Sequence, residues 1–137
     1  MKRMAFNPRF VNEAGNDLVQ GKIHTIRKNY DYWKRFEGAE IALFTWQGKP
    51  YQKGSKQIVF CVKRVMSVQE IYLYKDGAES VYFTKHERLA ENSTLFNSYL
   101  LSRNDGLDLF TFQAWFKRKE YMSGKMGIIH FTDFQYQ

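Results

Sequence analysis

A mainly β domain with flanking helices, an α+β fold forming a small mixed barrel, is what this 137-residue chain predicts. Three observations lead there. Short segments rich in β-branched and aromatic residues recur at close spacing, the clearest being Gln57 to Val65. Helical spacing of apolar residues shows only early and late in the chain. No internal repeat, linker or low-complexity tract interrupts it, so residues 1–137 are expected to form one domain.

The elements follow in order. Met4 to Phe10 reads as a short strand or extended segment, bent at Pro8. Val11, Ala14, Leu18 and Val19 have helical spacing, and Gly21 suits the position just past a helix end. Ile23 to Arg27 is a strand. Lys28 to Gly38, polar and aromatic, reads as a loop. Strands are expected over Ala39 to Trp46, Gln57 to Val65, Val68 to Tyr74 and Ser80 to Thr84, with turn chemistry at Gln47-Gly48-Lys49-Pro50, Lys53-Gly54-Ser55 and Asp76-Gly77. Leu95 to Leu101 reads as a helix stopped by Asn104-Asp105-Gly106. Asp108 is an N-cap for a second helix, whose face is Leu109, Phe112, Trp115 and Phe116 and whose last turn holds Lys117, Arg118 and Lys119. That face is expected in the core; left exposed, it would form a dimer surface. Gly127 to Phe134 is the closing strand.

Composition narrows the function classes. Hydrophobic residues make up 44% of the chain, too many for disorder. The longest apolar runs, such as Ile58 to Val62, are far too short to span a membrane. No apolar segment follows Met1-Lys2-Arg3, so no secretory signal is expected. The single cysteine, Cys61, excludes an internal disulfide and suggests a cytoplasmic protein with a buried thiol. His24, His86 and His130 lack metal-ligand spacing and no phosphate-cradling glycine motif is present, so neither a metal nor a nucleotide cofactor is expected. A net charge of +7 favours a polyanionic partner such as RNA.

The motif that carries chemistry is Gly21-Lys22-Ile23-His24-Thr25-Ile26-Arg27. Alternate side chains of a strand share a face, so Thr25 and Arg27 point the same way, with Lys22 at the turn before them. A cation, a hydroxyl and a fork-shaped donor then converge, which suits a polar, anionic or amide-bearing ligand. The competing reading is a solvated strand edge alternating with Ile23 and Ile26. A second candidate is the aromatic-basic stretch, in which Tyr30, Tyr32 and Trp33 lie among Lys28, Lys34 and Arg35. Exposed rings stack on bases and cations track phosphates.

Gly21-Lys22-x-x-Thr25-x-Arg27 resembles the signature of the ASCH domain, within the PUA-like superfamily. The resemblance implies a PUA-like β-barrel decorated with helices. Lys22-x-x-Thr25-Ile26-Arg27 is similar to a segment of small bacterial amidohydrolases that deacetylate acetylcytidine. Lys85-His86 and Glu91-Asn92-Ser93-Thr94-Leu95 look like the segment carrying their catalytic glutamate, at Glu91. In the broader motif Glu more often stands at the position of Thr25. Asn104-Asp105-Gly106-Leu107 with Phe112-x-x-Trp115-Phe116 looks more like uncharacterised phage and bacterial members.

Two functions are therefore expected. One is a binding module for RNA or a modified nucleoside, using Lys22, Thr25, Arg27 and Tyr30, Tyr32, Trp33, Lys34 and Arg35. The other is an amidohydrolase in which Lys22 acts as base, Thr25 as nucleophile and Glu91 as proton shuttle, with Arg27 holding the substrate or its oxyanion. A protein-interaction domain that keeps only the barrel is the third.

Overall fold

The computed structural model describes residues 1–76, 79–83, 97–116 and 125–136. Among them the chain runs β1 (Lys2–Ala5), a 3-10 turn (Pro8–Phe10), β2 (His24–Lys28), α1 (Tyr30–Lys34), β3 (Glu40–Gln47), β4 (Lys56–Arg64), β5 (Ser67–Asp76), β6 (Glu79–Phe83), α2 (Ser98–Asn104), α3 (Leu109–Trp115) and β7 (Lys125–His130). The fold is mixed α+β with two sheets, ordered β1-β3-β4 and β2-β7-β5-β6. Only the β1–β3 pair is parallel among the described ladders.

The expected closed barrel is not found among the described residues: no ladder joins the two sheets. They are nevertheless linked at two places. Only Val65 and Met66 separate β4 from β5, and Val65 N–H donates to Ala39 O at 2.9 Å while Met66 N–H donates to His130 O at 2.8 Å. At the other side Arg27 Nη2, on β2, donates to the carbonyl of Ala5 at the end of β1 at 2.6 Å. A side chain does there what a backbone ladder would do in a barrel.

Strand β7 lies between β2 and β5. Consecutive residues of a strand face opposite sides, yet Ile128 and Ile129 are both fully buried, so both faces of this strand are covered. One apolar cluster joins Met4, Ile26, Ile41, Leu43, Ile71 and Ile128 of the sheets with Leu101 and Phe112 of α2 and α3. The Leu109 helix behaves as its pattern predicts: Phe112 and Phe116 are buried, Trp115 packs against the core, and Asp108 caps the helix through Thr111 N–H at 2.8 Å.

Several local expectations are corrected. Residues 11–19 are not helical but form a loop closed by the Val11–Leu18 bridge. The Asn12 side chain accepts from the N–H groups of Asn16 and Asp17, at 2.9 and 3.1 Å, and so takes the donors a helix would need. The expected loop over Lys28 to Gly38 contains helix α1, formed because Tyr30, Trp33 and Phe36 share a face and pack on the core. Helix α2 runs Ser98–Asn104 with Asn97 as its cap, and Leu95 lies outside the described residues. Strand β7 ends at His130, short of Phe134. Cys61, on β4, is half-buried instead of enclosed. Lys117, Arg118 and Lys119 lie outside the described residues.

Helix α1 approaches β7 at Gly127, where a Cβ would stand 3.4 Å from Tyr30 Cα and 3.2 Å from Val68 Cγ1. Neither backbone nor strand can yield cheaply there. Gly127→Val is expected to destabilise the protein by about 1–3 kcal/mol through overpacking; a chemical-denaturation midpoint equal to that of the wild type would refute this contact.

Candidate functional site

The candidate motif begins where Gly21, at φ +90°, turns the chain toward β2. Its next residues are fixed from two sides. Ile23 N–H donates to Asn104 O at 2.8 Å, and Phe131 N–H donates to Ile23 O at 3.0 Å. The first bond joins the motif to the end of α2, where Asp105 is the C-cap residue. Gly106 follows at φ +80°, and a Cβ on it would lie 3.0 Å from Lys22 Cβ. Glycine is therefore needed twice, for the left-handed backbone and for the room to seat the lysine stem.

Lys22, Thr25 and Arg27 converge as expected. They line one cavity of about 180 Å³, together with Asn7 and Asp105. Its apolar wall is aromatic: Phe6, Phe10, Trp115 and Phe116. Phe6 and Phe10 arrive because β1 continues through Phe6 N–H to Phe44 O, at 2.8 Å, before Asn7 and Pro8 start the 3-10 turn.

Lys22 is the most constrained of these groups. Its side chain is 1% exposed, and Nζ donates to Asp105 O at 2.8 Å and to Asp105 Oδ1 at 3.0 Å. The ammonium also lies 4.3 Å from the centre of the Phe10 ring, a cation–π distance. Burial pushes the Lys22 ammonium below the ordinary lysine range; the Asp105 carboxylate opposes this, and the Arg27 charge adds to it. Burial alone would raise the Asp105 carboxyl, but Lys22 and His24 outweigh it and hold that group below the usual carboxylate range. Arg27 Nε is 3.4 Å from Thr25 Oγ1, and its guanidinium lies 4.8 Å from the Phe6 ring centre.

Behind Asp105 lies a buried polar network. His24 Nδ1 is 3.4 Å from Asp105 Oδ1, and His24 Nε2 is 2.6 Å from Tyr136 Oη. Asn104 Nδ2 donates to Tyr136 Oη at 3.1 Å. The phenol oxygen accepts from Asn104, and its O–H is placed to donate to His24 Nε2. Burial raises the Tyr136 phenol to about 12, keeping it protonated for this role. His130 Nε2 pairs with Gln69 Oε1 at 2.8 Å, and Gln69 in turn bonds the Tyr136 backbone. His24 is fully buried, with its two ring nitrogens toward Asp105 and Tyr136.

The aromatic-basic residues lie elsewhere. None of Tyr30, Tyr32, Trp33, Lys34 and Arg35 lines the cavity. The three rings are half-buried, and cations of this chain cover them: Lys2 is 4.8 Å from the Tyr32 ring centre and 5.5 Å from Trp33, Arg35 is 5.5 Å from Tyr32, and Lys125 is 5.1 Å from Tyr30. Lys34 pairs with Glu37 at 2.6 Å. Glu91 lies outside the described residues, as do Lys85 and His86. Among the described residues no group of three His, Cys, Asp or Glu side chains is placed to hold a metal ion. No described helix is long and apolar enough to cross a membrane. Asp105 and the aromatic wall are the site residues that sequence reasoning missed; Asn104-Asp105-Gly106 signalled a helix stop but not a partner for Lys22.

No known protein family, curated protein or solved structure matches this chain.

Two buried groups contribute to the response to acid. The His130 imidazole is pushed down from 6.5 to about 3, by burial first and then by His24. The unfolded chain therefore binds a proton below pH 6.5 that the folded chain refuses, so stability falls with pH, by at most about 1.4 kcal/mol per unit from this group. Asp105, held low when folded, removes stability in the same direction at lower pH. Urea midpoints should drop between pH 7 and pH 4, and His130→Gln should flatten that slope; an unchanged slope in the variant would contradict the assignment to His130.

Proposed function

We propose that this chain is an ASCH/PUA-like domain that binds an unpaired RNA base or a modified nucleoside in the cavity of Lys22, Thr25 and Arg27. The observation that carries the reading is the joint lining of one small cavity by these three polar residues and by the rings of Phe6, Phe10 and Trp115. Rings stack on the faces or edges of a planar heterocycle, and the Lys22, Thr25 and Arg27 donors hydrogen-bond to its carbonyl oxygens. The volume is below the roughly 300–1,000 Å³ of pockets for drug-sized ligands, which suits one ring rather than a whole strand. The net charge of +7 supports attraction of a phosphate-bearing ligand. A PUA-like barrel, left open between β1 and β2, is the fold this reading assumes; the short β4–β5 corner and the Arg27 bridge to Ala5 support it.

A second reading is the deacylation of an acylated pyrimidine nucleoside. It is favoured by a buried lysine of lowered basicity in the same cavity as the Thr25 hydroxyl. Lys22 would then be the base, Thr25 the nucleophile, Arg27 the oxyanion donor and Glu91 the proton shuttle.

Acetylcytidine separates the two. Titrated into the protein, it should bind without release of cytidine, and Arg27→Ala should weaken binding at least tenfold. Release of cytidine that disappears in Thr25→Ala would establish the hydrolase; neither binding nor release would end both readings.

A further inference from the structure

We infer that Asp105 is the positioning residue of the cavity: it fixes the Lys22 ammonium in place by two hydrogen bonds and keeps it a donor to the ligand rather than a base. The inference deepens the binding reading above and rests on it for the identity of the site.

The geometry is specific. An ammonium has three hydrogens. One goes to the Asp105 carbonyl at 2.8 Å and one to its Oδ1 at 3.0 Å. The third has no acceptor among the described residues, and the ammonium stands over Phe10 on the wall of the cavity. A ligand oxygen is the acceptor that completes the set. A base would need a lone pair on Nζ, and a carboxylate 3.0 Å away favours the protonated form.

Asp105 is itself held. The α2 C-cap fixes its backbone, Gly106 clears the space for the lysine stem, and His24 stands 3.4 Å from its carboxylate with Tyr136 behind. The charged and titratable groups facing Lys22 are Asp105, Arg27 on β2 and, through Asp105, His24. Of these only the carboxylate stabilises the cation. On this inference Lys22 donates to a carbonyl or anionic oxygen of the ligand and is not the group that activates Thr25.

The test reads Lys22 directly and without ligand, so that it fails separately from the nucleoside reading. In wild-type protein labelled with 15N, the Lys22 side chain should give an ammonium resonance at pH 7, protected by its hydrogen bonds. A neutral amine there would overturn the inference whatever the variants do. In Asp105→Asn, which keeps an acceptor but loses the charge, the titration midpoint of Lys22 should fall at least one pH unit, a tenfold loss of proton affinity. An unchanged midpoint in a folded Asp105→Asn protein would also overturn it.

Discussion

A lysine and an aspartate, both taken almost wholly out of water, face each other at 3.0 Å, and much of the chain's arrangement serves that pair. Removing two charges from water costs several kcal/mol for each, which Coulomb attraction offsets only when the remaining hydrogen-bonding capacity is also met. Here it is met from several elements. Helix α2 ends so that its cap offers both a carbonyl and a carboxylate, Gly106 lets the lysine stem lie against the turn, and β2 supplies His24 on the far side of Asp105. The segment ending at Tyr136 closes the network through a phenol. The pair thus ties the segment leading into β2, which carries Thr25 and Arg27, to the end of α2.

The cavity lies beside this pair. Arg27, which lines it, bonds the Ala5 carbonyl and so links the edge strands β1 and β2. Phe6 and Phe10 come to the cavity because β1 is followed at once by a proline-led turn. The result is a small space lined by two cations, a hydroxyl, the Asp105 carboxylate and four aromatic rings. By contrast, the rings of α1 lie against the core and the chain's own cations, and none of them lines the cavity.

Much of this was legible in the sequence. Strands declared themselves through β-branched and aromatic runs, and their observed limits fall within a few residues of those expected. The spacing of Lys22, Thr25 and Arg27 was enough to predict their convergence, because strand alternation is a local rule. What was not legible depends on competition or on distance. The Val11 to Val19 spacing was helical, but the Asn12 side chain captured the backbone donors. Helix α1 is only five residues long and is held by aromatic packing rather than by propensity. Asp105 is 83 residues from Lys22, and no local pattern tells a helix-stopping Asn-Asp-Gly from one that also neutralises a buried cation.

The central claim is that Lys22 and Asp105 act as one unit, and a double-mutant cycle in chemical denaturation measures it most directly. Asp105→Ala and Lys22→Met should each destabilise strongly, the first by about 3–5 kcal/mol because it strands a buried cation. The double variant should lose about 2 kcal/mol less than the sum of the two. Costs that simply add, within about 0.5 kcal/mol, would mean that the two residues stabilise the fold independently and that the pair does not organise the site.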